Sequence, residues 1–183
     1  MKVCIDTGVF IDYLSAQAIA GSSLRSTDRR GRAPHKLFED AENVLKKVAS
    51  LHTVATSSLT YYEVEEALFK QLTSVATGMV NASTIRVLAA RSIVPQTITA
   101  VRFFSINVLD LTSTTVEEQL SNMELYVRDI RAADALHVAS AISFDAEVLI
   151  SVDEDVLKLD GFITNKSGVP IKFCDTDIAL TIL

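Results

Sequence analysis

The chain has 183 residues, of which 49% are hydrophobic and 22% are charged, and its net charge at pH 7 is −6. This length and balance predict one globular domain over 1–183 with a sizeable core. The acidic charge argues against a broadly basic surface that coats nucleic acid. It does not exclude nucleic-acid binding, because a site that holds cations on carboxylates itself makes a protein acidic.

The sequence also limits the compartment and the kind of metal site. Its apolar runs fall short of the roughly 18 residues that span a bilayer, and acidic residues interrupt the N-terminus where a signal peptide would be apolar. We therefore expect a cytoplasmic protein without a membrane span. Cys4 and Cys174 are expected to be small buried hydrophobes, and the three histidines follow no zinc-site spacing.

The first element is a short apolar strand over 3–5, which ends at Asp6. Gly8 is expected to free the backbone for a turn into a helix over about 8–15. The segment 16–33 then contains glycine, serine and several arginines, which is typical of a flexible, basic, solvated loop. Contact with phosphates is the alternative interpretation of that loop, and its candidate residues are Arg25, Arg29, Arg30 and Arg32.

Apolar spacing predicts the remaining elements. In chain order they are a helix over 34–51, a strand over 53–56, a helix over 60–77, a helical region over about 82–104 that Pro95 breaks or kinks, a strand over 106–109, helices over 113–127 and 131–144, a strand over 147–151, a short helix over 153–159, and a strand over 170–174 at a sheet edge. Strands that alternate with helices predict an α/β fold, with a mostly parallel sheet covered on both faces and a helical arm over about 60–104.

Four carboxylates stand where this fold collects functional groups. Asp6 and Asp153 follow strands, and Glu63 and Asp134 lie near the starts of helices. Because the carboxyl ends of parallel strands share one edge of the sheet, we expect Asp6 and Asp153 to reach one crevice, with Glu63 close by. Capping is the alternative: Asp6 and Asp153 suit helix N-caps, and Thr60 with Glu63 suits a capping box.

Asp134 is harder to assign to a purely structural role. Its helix is apolar nearly all round, and a carboxylate there is costly unless it is paired or bound to a metal. Arg128 or Arg131 could supply the pairing. His137 shares a face with Asp134, but we interpret it as a packing or hydrogen-bonding residue and leave it out of the metal set.

Carboxylates that converge on one crevice repel one another, and a bound hard cation relieves the repulsion. A ligand set of oxygens, without thiolate or a histidine pair, indicates Mg²⁺ or Mn²⁺. Such an ion can orient and activate a water for attack on a phosphodiester. The sequence offers no serine or cysteine nucleophile with a partner, so water is the expected nucleophile.

With these residues in view, the chain resembles the PIN-domain ribonucleases, and most of all the VapC-type toxins of prokaryotic toxin–antitoxin pairs. The matching segments are VCIDTGVFI at 3–11, SSLTYYEV at 57–64, ADALHVA at 133–139 and LISVD at 149–153. The resemblance implies a three-layer α/β/α fold around a parallel sheet of four or five strands. It further implies metal-dependent cleavage of RNA, a homodimer, and an antitoxin that covers the active site.

The resemblance assigns the acidic cluster to Asp6, Glu63, Asp134 and Asp153, and it places the hydroxyls of Thr7 and Ser151 near the metal. We expect Asp6, Asp134 and Asp153 to ligate the metal, and Glu63 to ligate it or, through a water, to help activate the nucleophile. An RNA-maturation nuclease without an antitoxin remains an alternative, and so does a catalytically silent PIN-like interaction module. An aspartyl-nucleophile phosphatase of the dehalogenase type is a weaker alternative. That chemistry needs a second aspartate two residues after the nucleophile, where this chain has Gly8.

Overall fold

The computed structural model describes residues 1–16, 24–25 and 27–183. Five parallel strands form one sheet in the order β3-β2-β1-β4-β5. They are β1 (Lys2–Ile5), β2 (Thr53–Ser57), β3 (Asn107–Leu109), β4 (Val148–Ile150) and β5 (Lys172–Cys174). The predicted fold class is therefore confirmed, and β5 lies at an edge as expected.

Helices connect the strands and cover both faces of the sheet. Within the described residues they are α1 (Thr7–Leu14), α2 (Pro34–Leu51), α3 (Leu59–Val75), α4 (Ala82–Arg91), α5 (Val94–Phe103), α6 (Ser113–Ser121), α7 (Met123–Val127), α8 (Ala132–Phe144), α9 (Glu154–Leu157) and α10 (Thr176–Ile182). None of these helices is both long and apolar enough to cross a membrane.

Alternation along the central strand separates two apolar cores. Val3 and Ile5 of β1 belong to the larger core, which α1, α2 and α3 supply from one side. Cys4 belongs to the second core, to which α8 contributes Val138. Because successive side chains of a strand point to opposite faces, this division produces the three-layer α/β/α arrangement. Burial raises the pKa of the Cys4 thiol to about 12, as suits the predicted role as a buried hydrophobe.

One predicted helix is wrong, one predicted break is confirmed, and one helix was missed. The helix predicted over 113–127 is two helices, because Asn122 leaves helical geometry and its side chain caps α7 at Glu124 N. The region over 82–104 divides at 92–93, just before Pro95, which lies in the first turn of α5. The C-terminal helix α10, which Asp175 caps, was missed because its seven residues carry too short an apolar pattern.

The basic segment is also different from the expected solvated loop, in the part that the structure describes. Arg29 and Arg32 exchange two backbone hydrogen bonds around Arg30 and Gly31, both of which have positive φ. This geometry is a tight turn that glycine favours. The remaining residues of the predicted 16–33 loop, 17–23 and 26, lie outside the described part of the chain.

All four predicted RNA-contacting arginines bind carboxylates of the protein itself. Arg25 and Arg29 contact Asp12 at 2.9 and 2.7 Å, and Arg29, Arg30 and Arg32 contact Asp175. Asp12 and Asp175 are fully buried. Arg32 also contacts the buried Asp40, on α2, at 3.0 Å. The turn is therefore clamped to α1, α2 and the end of β5, since buried carboxylates are costly without such partners.

We expect Asp175→Asn to destabilise the protein by about 3 kcal/mol, because it leaves the three arginines without a shared buried counter-charge. Asparagine still caps α10, so loss of the cap does not contribute. The matched control is Asp155→Asn, which removes the exposed pair with Lys158 and should change stability far less than Asp175→Asn does, because solvent screens that pair. Urea unfolding measures both, and equal effects of the two variants would contradict the clamp.

Candidate functional site

The first carboxylate of the site is Asp6, which is 7% exposed at the end of the central strand. Its Oδ1 accepts from the backbone N–H of Thr7 at 2.7 Å, so Asp6 is the N-cap of α1. Its Oδ2 accepts from the Ser151 hydroxyl at 2.6 Å, across from β4. Asp6 therefore caps α1 through Oδ1 and also stands at the predicted crevice, where Oδ2 contacts Ser151.

Glu63 points into the site from α3 and does not form the capping box considered from sequence. Its Oε2 accepts from the Thr7 hydroxyl and lies 2.6 Å from His137 Nε2. Thr60 contacts the hydroxyls of Thr7 and Thr56 at 3.2 and 2.8 Å instead of capping the helix. The helix begins at Leu59, and its Ser58 N-cap makes no side-chain cap bond.

Asp134 and Asp153 line the same cavity as Asp6 and Glu63. The Oδ1 of Asp153 caps α9, because it accepts from the backbone N–H groups of Asp155 and Val156 at 2.7 and 3.3 Å. Asp134 has no salt bridge within the described residues, and Arg128, one suggested partner, contacts Glu124. Among the described residues, neither Arg128 nor Arg131 forms a salt bridge with Asp134. Pairing with an arginine, the structural explanation considered for this carboxylate, is therefore not found.

His137 belongs to the cluster as a hydrogen-bonding residue. It is 2% exposed, and its Nε2 lies 3.3 Å from Thr7 Oγ1 and 3.7 Å from Asp6 Oδ1, in addition to its contact with Glu63. A hydrogen-bonding role was expected from the sequence, but its placement against both carboxylates was not. The signal was present in the spacing, since His137 lies one turn after Asp134 on the same helix.

The charges of the site perturb one another. Burial raises the pKa of Asp134 to about 6, with the negative charges of Asp153, Asp6 and Glu63 adding to the rise. Burial would also raise the pKa of Glu63, but hydrogen bonds from His137 and Thr7 hold that pKa below its usual value. Burial would lower the pKa of His137, yet the neighbouring Asp6 and Glu63 raise it. The cluster therefore carries negative charge that its own residues neutralise only in part.

Gly8 is needed for space rather than for the backbone freedom expected from sequence, because it lies inside α1 without a positive φ. A Cβ at this position would overlap the Cγ2 methyl of Val152. Val152 stands between Ser151 and Asp153, so the close approach at Gly8 sets how near the loop after β4 comes to Asp6. Only glycine allows this contact without displacement of the valine.

The cavity above these residues has a volume of about 580 Å³ and carries positive as well as negative side chains. Of the four arginines predicted to contact RNA, Arg25 and Arg29 line it. Arg30 and Arg32 lie outside its lining. Lys70 and Arg131 line it as well; Lys70 was not singled out from the sequence, and Arg131 was considered there only as a partner of Asp134. They are single cations on separate helices, without a motif to mark them.

The residues of the site suit a divalent cation. Asp6, Glu63 and His137 each offer one ligand atom, and these atoms lie within 4.8 Å of one another. Carboxylate oxygens and imidazole nitrogen are common ligands of divalent metals. The raised pKa of Asp134 indicates mutual repulsion that a cation would relieve. Asp134 and Asp153 lie outside the tight group, at the cavity wall.

Comparison with known proteins adds no assignment: no protein-family model matches the chain, and no curated protein matches it.

We expect Asp134→Asn to stabilise the metal-free protein at pH 8 by about 1 kcal/mol, after allowance for solvent screening of a half-exposed group. The pKa of Asp134 is raised from 3.8 to about 6 in the folded state. Its favourable contribution to stability is therefore complete below pH 3.8 and is lost as the pH rises through about 6. Urea unfolding in EDTA at pH 4 and pH 8 measures the effect.

The variant should be nearly as stable as the wild type at pH 4, because Asp134 is neutral in the folded wild type at that pH, as asparagine is. Asp110→Asn, at an exposed aspartate outside the cavity, is the control and should change stability by less than about 0.5 kcal/mol at either pH. A loss of stability at pH 8 in Asp134→Asn would show that the carboxylate is favourably paired.

Proposed function

We propose that this protein is a divalent-metal-dependent endoribonuclease of the PIN-domain type, which hydrolyses RNA phosphodiester bonds. The observation that carries the proposal is the convergence of Asp6, Glu63, Asp134 and Asp153, from four separate elements, on one cavity at the carboxyl edge of a parallel sheet. Open parallel sheets bind their ligands at this edge. The four sequence segments that contain these carboxylates also resemble PIN-domain ribonucleases, which supports the same proposal.

Asp6 and Glu63 would hold Mg²⁺ or Mn²⁺, with Asp134 and Asp153 at the cavity wall. When bound, the cation would lower the pKa of a water and stabilise negative charge on the phosphate. The hydroxyls of Thr7 and Ser151 donate to Glu63 and Asp6, so they fix the direction of those carboxylates. The carboxylate of Asp134 lines the cavity, where it would be placed to accept a proton from a water.

Basic residues of the cavity support an RNA substrate. Arg131 is exposed at the start of α8 and has no salt bridge within the described residues, so its guanidinium is available for a phosphate. Arg25 and Arg29 line the cavity too, but both contact Asp12. We therefore place phosphate contact first at Arg131, and next at Arg25 and Arg29.

The proposal extends to a toxin paired with an antitoxin, and to a homodimer, on the strength of the resemblance. Exposed apolar side chains on α6 and α7 support a protein partner: Leu120, Met123 and Val127 are 58%, 67% and 72% exposed. A nuclease of RNA maturation would use the same site without the antitoxin.

We expect the protein to cleave a mixed RNA substrate with added Mn²⁺, and to lose this cleavage in EDTA. Asp6→Asn and Asp134→Asn should each lower the rate at least about 100-fold, because each removes a charge from the metal and water site. Product formation on denaturing gels measures the rate.

Asp110→Asn, which lies outside the cavity, is the matched control and should cleave at the wild-type rate. A folded wild type that binds Mn²⁺ and cuts no member of a broad RNA panel would contradict the proposal and favour the catalytically silent interaction module. Cleavage that persists in Asp6→Asn would indicate a contaminating nuclease.

We expect Arg131→Gln to weaken RNA binding and to reduce the slope of log K against log salt by about 1, because one phosphate contact and its counterion release are lost. Binding is measured in an Asp6→Asn background, which prevents cleavage. Arg102→Gln is the control, since Arg102 is exposed and lies outside the cavity lining. An unchanged slope in Arg131→Gln would remove Arg131 from the RNA site.

A further inference from the structure

We propose that His137 is a metal ligand beside Asp6 and Glu63, and that the site therefore prefers Mn²⁺ to Mg²⁺. This inference rests on the proposed function and deepens it, because it changes the donor set from carboxylates alone to a mixture of oxygen and nitrogen. The sequence analysis left His137 out of the metal set.

The geometry places His137 inside the donor group. The ligand atoms of Asp6, Glu63 and His137 lie within 4.8 Å of one another, which is the tightest convergence of candidate ligands among the described residues. Its Nε2 faces both carboxylates, at 2.6 Å from Glu63 Oε2 and 3.7 Å from Asp6 Oδ1. The hydrogen bond to Glu63 thus holds this nitrogen among the candidate ligand atoms, and a bound cation would take the place of its proton, which is released on binding.

The other two predicted ligands are less well placed. Asp153 is exposed, and its Oδ1 is occupied by two backbone donors of α9. Asp134 lies one turn before His137 on α8 but is outside the tight group. The tight donor group thus contains two carboxylates and one imidazole: Asp6 directly after β1, Glu63 from α3 and His137 from α8.

The chemistry of this donor set determines the preferred ion. Mg²⁺ favours oxygen ligands and retains several waters, whereas imidazole suits later first-row metals such as iron and zinc. Mn²⁺ shares the oxygen preference of Mg²⁺, but it is the first member of that transition-metal series, and a nitrogen donor should therefore favour Mn²⁺ over Mg²⁺. Thr7 and Ser151 hold the two carboxylates in place, and carboxylate oxygens suit both ions. The imidazole is therefore the ligand that would favour one ion over the other.

The test is pulsed electron paramagnetic resonance of Mn²⁺ bound to the untagged wild-type protein, in which a directly bound imidazole gives a ¹⁴N coupling. We expect this coupling in the wild type, its loss in His137→Gln, and its retention in His35→Gln, an exposed histidine outside the cavity. Glutamine can still donate a hydrogen bond to Glu63 but supplies no nitrogen ligand, so it separates ligation from mere positioning of Glu63.

Metal affinities, measured by calorimetry on the same proteins, give a second readout. His137→Gln should weaken Mn²⁺ binding by about 10-fold or more and change Mg²⁺ binding by less than about 3-fold. Bound Mn²⁺ without a ¹⁴N coupling in the wild type would overturn this inference and leave the carboxylate site of the proposed nuclease intact. Failure of the wild type to bind Mn²⁺ would overturn both. The wild-type spectrum decides even if His137→Gln does not fold.

Discussion

Repulsion between carboxylates at one edge of the sheet is the constraint on which much of this structure depends. The parallel strands bring Asp6, Asp153 and Asp175 to their shared carboxyl edge, and Asp12 is buried close by on α1. Negative charges so near each other in a poorly solvated region cost free energy unless cations or hydrogen-bond donors face them. The chain meets this requirement in different ways at two neighbouring places.

At Asp12 and Asp175 the compensation comes from the protein's own arginines, which occupy the oxygens of both carboxylates. At Asp6 and Glu63 it comes from hydroxyls and one imidazole, and Asp134 retains a pKa of about 6. The first group is saturated and holds a segment in place. The second retains unsatisfied charge in an accessible cavity, and that difference is the physical argument for a ligand site at one group and a structural role at the other.

The strands, and the position of acidic residues at their carboxyl ends, could be predicted from the sequence. Both follow from local patterns, namely buried β-branched runs and the acids that end them. Prediction failed where the outcome depends on partners distant in the chain. The basic turn looked solvated, since nothing near it in sequence announces that Asp12 and Asp175 face its arginines. His137 was expected to pack or to form a hydrogen bond, but its partner Glu63 was not predicted, because this contact depends on how α3 and α8 pack across the sheet. A local effect was missed as well, since Asn122 caps α7 and this capping competes with continuation of the helix before it.

The contact between Gly8 and Val152 has a consequence for how this chain can vary. Gly8 lies in α1, directly after β1, and Val152 lies in the loop after the adjacent β4, and each stands within two positions of an acidic residue of the site. Any side chain at position 8 must displace Val152, so tolerance at one position depends on the size of the other. A larger side chain at position 8 is therefore compatible with this packing only together with a smaller one at position 152, and such a pair of changes would alter the approach of the loop that carries Asp153 to Asp6.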